Sequence, residues 1–410
     1  MEDTVNIDPK LSTKSKGLPL MVGMAILAML AAALQASAQK IITIDPPGAG
    51  TTAGLGTVGI HINQSGAVTG FFSDSEFVTH AFVRTPDGAI TTFDAPGAGS
   101  DTIPGFVGGI PVAGILGGEG TYGASINRQG TIAGFYVDSS SVVHGFVRSK
   151  DGEFTTFDAP NAASTPGTGT YAANINDFGM VAGVYVDASG VVHSYIRTPN
   201  GSFLHFDPPG TGFGAGQGSF TGASSCLSPW GTIAGYYLDP GSVMHGYLRT
   251  IDGKITTFEV PGSGTAPYQG TYAWTLSPFG VAAGQWIDGN WVAHGFIRHI
   301  NGRLTTFDHP GAGTGPGQGT VPNGINATDV VVGNFIDKGG LSHGFMRTFD
   351  GRFTAMDVSR AGTASGQGTY PVINNLSGAT TGVYVDANGA LHGFLWIPKS
   401  LCNEGPWPRW

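Results

Sequence analysis

Residues 185–197 read YVDASGVVHSYIR, with Asp187 six positions before His193 and Arg197 four positions after it. An acid, an imidazole and a cation this close together suit either a catalytic cluster or a structural device, and the rest of the chain decides between them. The histidine recurs at His80, His144, His193, His245, His294, His343 and His392, in steps of 64, 49, 52, 49, 49 and 49 residues. A near-constant period of this length marks a repeat architecture. Position −6 is aspartate in every copy: Asp74, Asp138, Asp187, Asp239, Asp288, Asp337 and Asp386. Positions −8 and +2 are always aromatic, and +4 is arginine in six copies but Trp396 in the last.

All these offsets are even, so in extended chain the aromatic and the aspartate share one strand face, and the histidine, the second aromatic and the arginine share a face of the next strand. A short turn such as Ala188-Ser189-Gly190 joins the two as a hairpin. An Asp-Gly or Asn-Gly turn then leads to a strand of the type ITTFD, and a glycine-rich step leads to Gly-Thr-Tyr and a further strand ending at Ile-Asn. Four strands per repeat predict an all-β fold, a seven-bladed β-propeller of four-stranded blades. The last copy, GALHGFLWIP, lacks a TTFD strand, whereas IITID stands unused at 41–45. Ring closure is therefore expected through pairing of that N-terminal strand with Leu391 to Ile397; an open solenoid would need caps instead.

These elements, His-Ala-Phe at 80–82 and mostly His-Gly-Phe elsewhere, together with TTFD and Ile-Asn-x-x-Gly, resemble the extracellular HAF-repeat family of bacterial secreted proteins. The resemblance covers the chain beyond its first 38 residues and implies a secreted repeat protein of propeller type. It brings no activity, substrate or catalytic residue. Trp396, and Asn374 in place of the isoleucine before asparagine, depart from the pattern in the closing repeat.

Residues 1–38 differ from the remainder: Lys10, Lys14 and Lys16 precede the uncharged run GLPLMVGMAILAMLAAAL and then Ala36-Ser37-Ala38. This reads as a secretory signal peptide, with an uncleaved membrane anchor as the alternative. The expected organisation is signal peptide 1–38, propeller 39–398 and C-terminal tail 399–410, secreted to an extracellular or periplasmic location and acting as a monomer. With two cysteines, Cys226 and Cys402, stability must come from packing. A net charge of −9 without a basic stripe argues against nucleic acid as a partner.

A catalytic site on a ring is normally unique, whereas a device that holds each unit together recurs in each unit. The Asp and His pairs are thus expected to be structural, with the arginine pairing to an acid of its own or a neighbouring repeat. One histidine and one carboxylate per repeat are too few for a tetrahedral metal site, and neither metal nor cofactor is expected. Of the carboxylates outside the repeat pattern, Asp101 and Glu119 share one irregular segment and form the sole candidate acid/base pair; a solvated loop is the plainer reading.

Function is expected where copies differ. A fifteen-residue insertion separates Asp94 from Thr121, a three-residue one surrounds Cys226, and Trp230, Tyr268, Trp274 and Trp291 fall outside the repeated aromatics. These four are the candidate ligand-binding residues. Trp291 has the strongest case, since its hairpin turn is read as carrying small or aliphatic residues in other copies. The expected function is a non-enzymatic binding or scaffold protein for a surface glycan or protein, with a polysaccharide-acting hydrolase or lyase at the channel mouth as the alternative.

Overall fold

A computed structural model describes residues 39–101, 118–222 and 225–398; most of the fifteen-residue insertion, both chain termini and residues 223–224 beside Cys226 lie outside the described residues. The described chain is all β, with twenty-eight strands and no helix. In the third repeat the strands are Gly169–Ile175, Val181–Val186, Val192–Arg197 and Phe203–Phe206, each pairing antiparallel with the next. The other repeats follow the same order.

Strands of the first kind touch their counterparts in neighbouring repeats and so lie nearest the axis. A bulge shifts the register near their ends, as between Ala172 and Asn174. Val58, Tyr122, Tyr171 and Phe220 from these strands join one axial core, while smaller clusters fill the spaces between neighbouring repeats. The aromatics at +2 (Phe82, Phe146, Tyr195, Tyr247, Phe296, Phe345 and Phe394) are all fully buried in these clusters. The period-two pattern thus becomes a ladder of buried rings.

Ring closure follows the sequence expectation. Lys40–Ile44 pairs antiparallel with Leu391–Ile397, matching Ile41 with Trp396 and Ile44 with Gly393. Ile44 is fully buried, beside Phe72 and Leu395.

The units expected as separate blades are instead hydrogen-bonded into one continuous ring. In each repeat the glycine that opens the first strand forms a one-residue parallel bridge to the residue before the preceding histidine, as in Gly169 to Val143 and Gly56 to Leu391. Side-chain chemistry explains why: a Cβ at Gly169 would lie 2.0 Å from the Val143 carbonyl oxygen, and its φ is +124°. Only glycine tolerates both the contact and the dihedral.

The ring has two ends. Hairpins carrying the −6 aspartate, and the crossovers between repeats, lie at one, here the histidine end. Turns after Ile-Asn and the Asp-Gly turns lie at the other, the asparagine end.

Candidate functional site

At the histidine end every repeat builds the same cluster. Val186 and Val192 close the hairpin, and Tyr185 lies opposite His193 across it. The two rings stack with centroids 5.0 Å apart. Asp187 Oδ1 accepts hydrogen bonds from the Ser189 and Val191 amides, so the aspartate shapes the turn. Its Oδ2 lies 3.5 Å from His193 Nε2, while His193 Nδ1 donates to Asp207 of the fourth strand at 2.8 Å. The imidazole therefore stands between two carboxylates.

The same bridge occurs in all seven repeats: Nε2 lies 3.4–3.8 Å from the −6 aspartate, and Nδ1 contacts the fourth-strand acid. In the closing repeat that acid is Asp45, 2.8 Å from His392, so closure completes the polar cluster as well as the sheet. A neutral imidazole has one N–H and would turn a lone pair toward one of the acids; protonation satisfies both. Accordingly the hydrogen bond to Asp207 raises the His193 pKa against the opposing effect of burial, and Asp94 and Glu259 do the same for His80 and His245. Burial works to raise the Asp187 carboxyl, but the Val191 and Ser189 amides and His193 outweigh it and hold it below the usual range.

The arginines do not pair with acids as expected. The Arg197 guanidinium lies 4.5 Å from the ring centroid of Phe157 in the preceding repeat, and Arg148, Arg249, Arg298 and Arg347 sit likewise over Phe93, Phe206, Phe258 and Phe307 at 4.4–5.0 Å. The fourth-strand phenylalanine offers a flat face at the junction, where an acid would have to be desolvated; a cation over such a ring contributes about 0.5–2 kcal/mol. At the last junction both partners change, and Trp396 is buried in one cluster with Met356.

At the asparagine end a second brace runs around the ring. Asn63 Nδ2 donates to the Asn127 carbonyl, Asn127 to that of Asn176, and Asn176 to those of Ser228 and Pro229. On the other side Asn326 donates to Asn375 and Asn375 to Asn63. Ser228 and Ser277 replace asparagine in the fourth and fifth repeats; their hydroxyls still accept the turn amides of Thr232 and Val281 but are too short to reach the next repeat.

The four candidate aromatics do not meet. Tyr268 and Trp291 stand at the histidine end, 54% and 44% exposed, whereas Trp230 lies at the asparagine end, 69% exposed on a turn tip. Trp274 belongs to the inner strand Gly270–Leu276 and packs on Tyr272 and Tyr236 in the axial core, its indole nitrogen unpartnered within the protein. Phe77 occupies the position equivalent to Trp291, so that turn is not restricted to small or aliphatic residues elsewhere. Exposed Phe178 and Phe279, equivalent to Trp230, were missed because single turn residues carry no periodic signal. The change from Ile-Asn-x-x-Gly to Leu-Ser-Pro-Phe-Gly could have pointed to Phe279, whereas Phe178 lies in an unchanged Ile-Asn-x-x-Gly turn and carries no such signal.

Glu119 is buried and accepts a hydrogen bond from the Asp101 backbone amide at 3.0 Å. Gln217, Gln318 and Gln367 hold the same place in other crossovers, each accepting an amide three residues back. Asp101 and Glu119 are thus brought together through a main-chain group, as a loop brace at the base of the insertion. Cys226 is a buried thiol whose pKa burial pushes up to about 12. Among the described residues no group of three or more metal-ligating side chains is assembled.

No family model matches the chain, and no curated protein is matched by it. Among solved structures it is similar to the BP39L lectin from Burkholderia pseudomallei, at 11% identity and a TM-score of 0.48, over 83% of this chain and 98% of that one. It is also similar to TolB from Acinetobacter baumannii (13% identity, TM-score 0.41, 80% and 79% covered) and to the Aleuria aurantia lectin (11%, 0.36, 73% and 94%).

Proposed function

We propose that this chain is an exported seven-bladed propeller, each antiparallel four-strand run forming one blade, and that it acts as a non-enzymatic binding protein for a surface glycan or protein. The charged leader ending in Ala-Ser-Ala supports export, and the family resemblance supports an extracellular or periplasmic site of action.

One observation carries the binding reading. Tyr268 and Trp291 both hold left-handed backbone, with φ of +63° and +65°. The Tyr268 amide donates to the carbonyl of Ser242 in the neighbouring hairpin, a bond that Gly54, Gly167, Gly216, Gly317 and Gly366 make in other crossovers. A non-glycine residue there costs about 1–2 kcal/mol, and an exposed ring recovers little of it through packing. Strain of this kind at exposed aromatics fits a contact surface better than a folding device. Flat exposed rings suit the apolar face of a sugar.

The test is binding of the purified protein to arrays of neutral and acidic glycans and of purified surface proteins, repeated with Trp291→Gly and Tyr268→Gly. The reading expects a specific ligand whose binding falls at least about tenfold in one of the variants while melting does not fall. Binding indifferent to both substitutions would overturn it.

A further inference from the structure

We propose that the cleft at the asparagine end of the axis is a second ligand site, one that takes the terminal unit of a neutral saccharide between a polar floor and an aromatic rim. This goes beyond the binding surface assigned to the histidine end, which lies at the opposite mouth and shares no residue with it.

The cleft, of about 100 Å³, opens where the first strands of five repeats end. His61, Gln64, Ser125, Arg128, Asn174 and Asp177 are among the polar groups, beside the bracing asparagines and Ser228, and aliphatic side chains with the two prolines of the Ser-Pro turns complete the lining. The site carries no net charge. Asp177 accepts a hydrogen bond from the Arg128 amide at 2.8 Å and lies 3.9 Å from its guanidinium, so the one anion and the one cation offset each other. His61 is uncharged at neutral pH because burial lowers its pKa to about 4, with Asp177 only partly opposing this. Its Nδ1 accepts from the Ile126 amide at 3.5 Å, which places the ring proton on Nε2 as a donor. Fixed donors and acceptors without net charge match hydroxyl groups better than phosphate, carboxylate or ammonium.

The rim supplies the other half of the recognition. Phe178 follows Asp177, Trp230 follows Pro229 and Phe279 follows Pro278, so three consecutive repeats raise an aromatic tip beside the cleft. These rings are 61%, 69% and 66% exposed. Phe178 and Trp230 stand 6.1 Å apart at 40°, an open angle that leaves ring faces free. Repeats one, two, six and seven carry Ser65, Gln129, Thr328 and Ser377 at the same turn position. Two of the aromatic tips stand in the two repeats where serine has replaced the bracing asparagine. Folding alone gives no reason to lose a bond between repeats and expose an indole at one place. A dry cavity of ~150 Å³ accepts a benzene-sized molecule, so a slightly smaller cleft open to solvent accepts one edge of a pyranose, with the rest of the chain lying across the rim.

Lipid is the competing occupant, because Lys40 and Ile397, where the leader and the tail leave the ring, both lie at this end. Titration calorimetry on the purified chain would use glucose, galactose, mannose, N-acetylglucosamine and their linked dimers to tetramers, with glucuronic acid oligomers and phosphatidylcholine/phosphatidylglycerol vesicles alongside. We expect binding of at least one neutral saccharide, insensitive to salt, that weakens about tenfold or more in Trp230→Ala or Phe178→Ala with unchanged melting and persists in Trp291→Gly and Tyr268→Gly. Absence of neutral saccharide binding, binding of acidic oligomers alone, or a Trp230-dependent association with vesicles in place of sugar would each overturn the proposal. Saccharide binding lost only in the Trp291 and Tyr268 variants would overturn it too, while leaving the reading of the histidine end standing.

Discussion

The two ends of the ring solve the same problem with opposite regularity. At the histidine end each repeat repeats an imidazole held between two carboxylates, down to His392 and Asp45, which are 347 residues apart in sequence. At the asparagine end the brace between repeats is interrupted at Ser228 and Ser277, and aromatic tips stand over the gap. A device present in all units is explained by what each unit needs in order to fold. A departure confined to two or three units needs a different cause, and exposed aromatics in left-handed backbone, Phe77, Tyr268 and Trp291, are departures of the same kind.

Breaking the regular part should have the largest effects. Deleting residues 41–45 removes a paired strand, buried Ile44 and the acid partner of His392; it should cost several kcal/mol (roughly 4 or more) and expose an unpaired edge that aggregates, seen as a lower melting temperature and the growth of high-molecular-weight species. The glycine bridges come next. A Cβ at Gly218 would meet the Val192 oxygen at 1.9 Å, whereas one at Gly216 would meet nothing within 4 Å, although both have positive φ. Gly218→Ala should therefore cost about 3 kcal/mol or more, and Gly216→Ala only the left-handed penalty of about 1 kcal/mol. Equal losses in denaturant melts would contradict the close backbone contact between repeats.

The histidine clusters should be worth less each, and they carry a pH signature. His193→Ala should lose ~1–3 kcal/mol, with a similar loss for the equivalent change in another repeat. Because the folded pKa values of His80, His193 and His245 are raised, their contribution is complete below the unfolded value near 6.5 and is lost as pH rises through the folded values. Asp138, Asp187 and Asp288 are depressed, so theirs is present above about pH 4 and is lost as pH falls through the folded values. The stability difference between the parent and His193→Ala should thus be largest between about pH 4 and 6.5 and shrink on the alkaline side; the melting of the parent alone does not isolate it, because burial lowers the His61 pKa to about 4 and so acts in the opposite sense. A difference between parent and His193→Ala that stays constant from pH 6 to 9 would contradict the two-carboxylate bridge.

Much of this was readable from residue spacing. The interval of six from aspartate to histidine fixes a hairpin, and the unused IITID strand identifies what closes the last repeat. Spacing did not reveal the partner of the arginine, because a cation suggests an acid and the face of Phe157 leaves no trace in a charge pattern. Nor did it separate the ends of the ring: Trp230, Trp274 and Trp291 look alike in sequence, yet one is a turn tip, one an axial wall and one a strained hairpin residue on the opposite side. Bridges such as Gly169 to Val143 were hidden for a related reason, since a glycine beside a threonine reads as the start of a strand and not as a contact with the repeat before it.

The most direct test of this division is a paired measurement of melting temperature and ligand affinity on His193→Ala and Trp291→Gly, using a ligand returned by the arrays. The account predicts that His193→Ala melts lower while its folded fraction binds normally, and that Trp291→Gly melts no lower than the parent, up to about 1 kcal/mol more stable as the left-handed strain is relieved, while binding is lost. The reverse result, an intact fold without binding in His193→Ala and a destabilised protein that binds normally in Trp291→Gly, would contradict it.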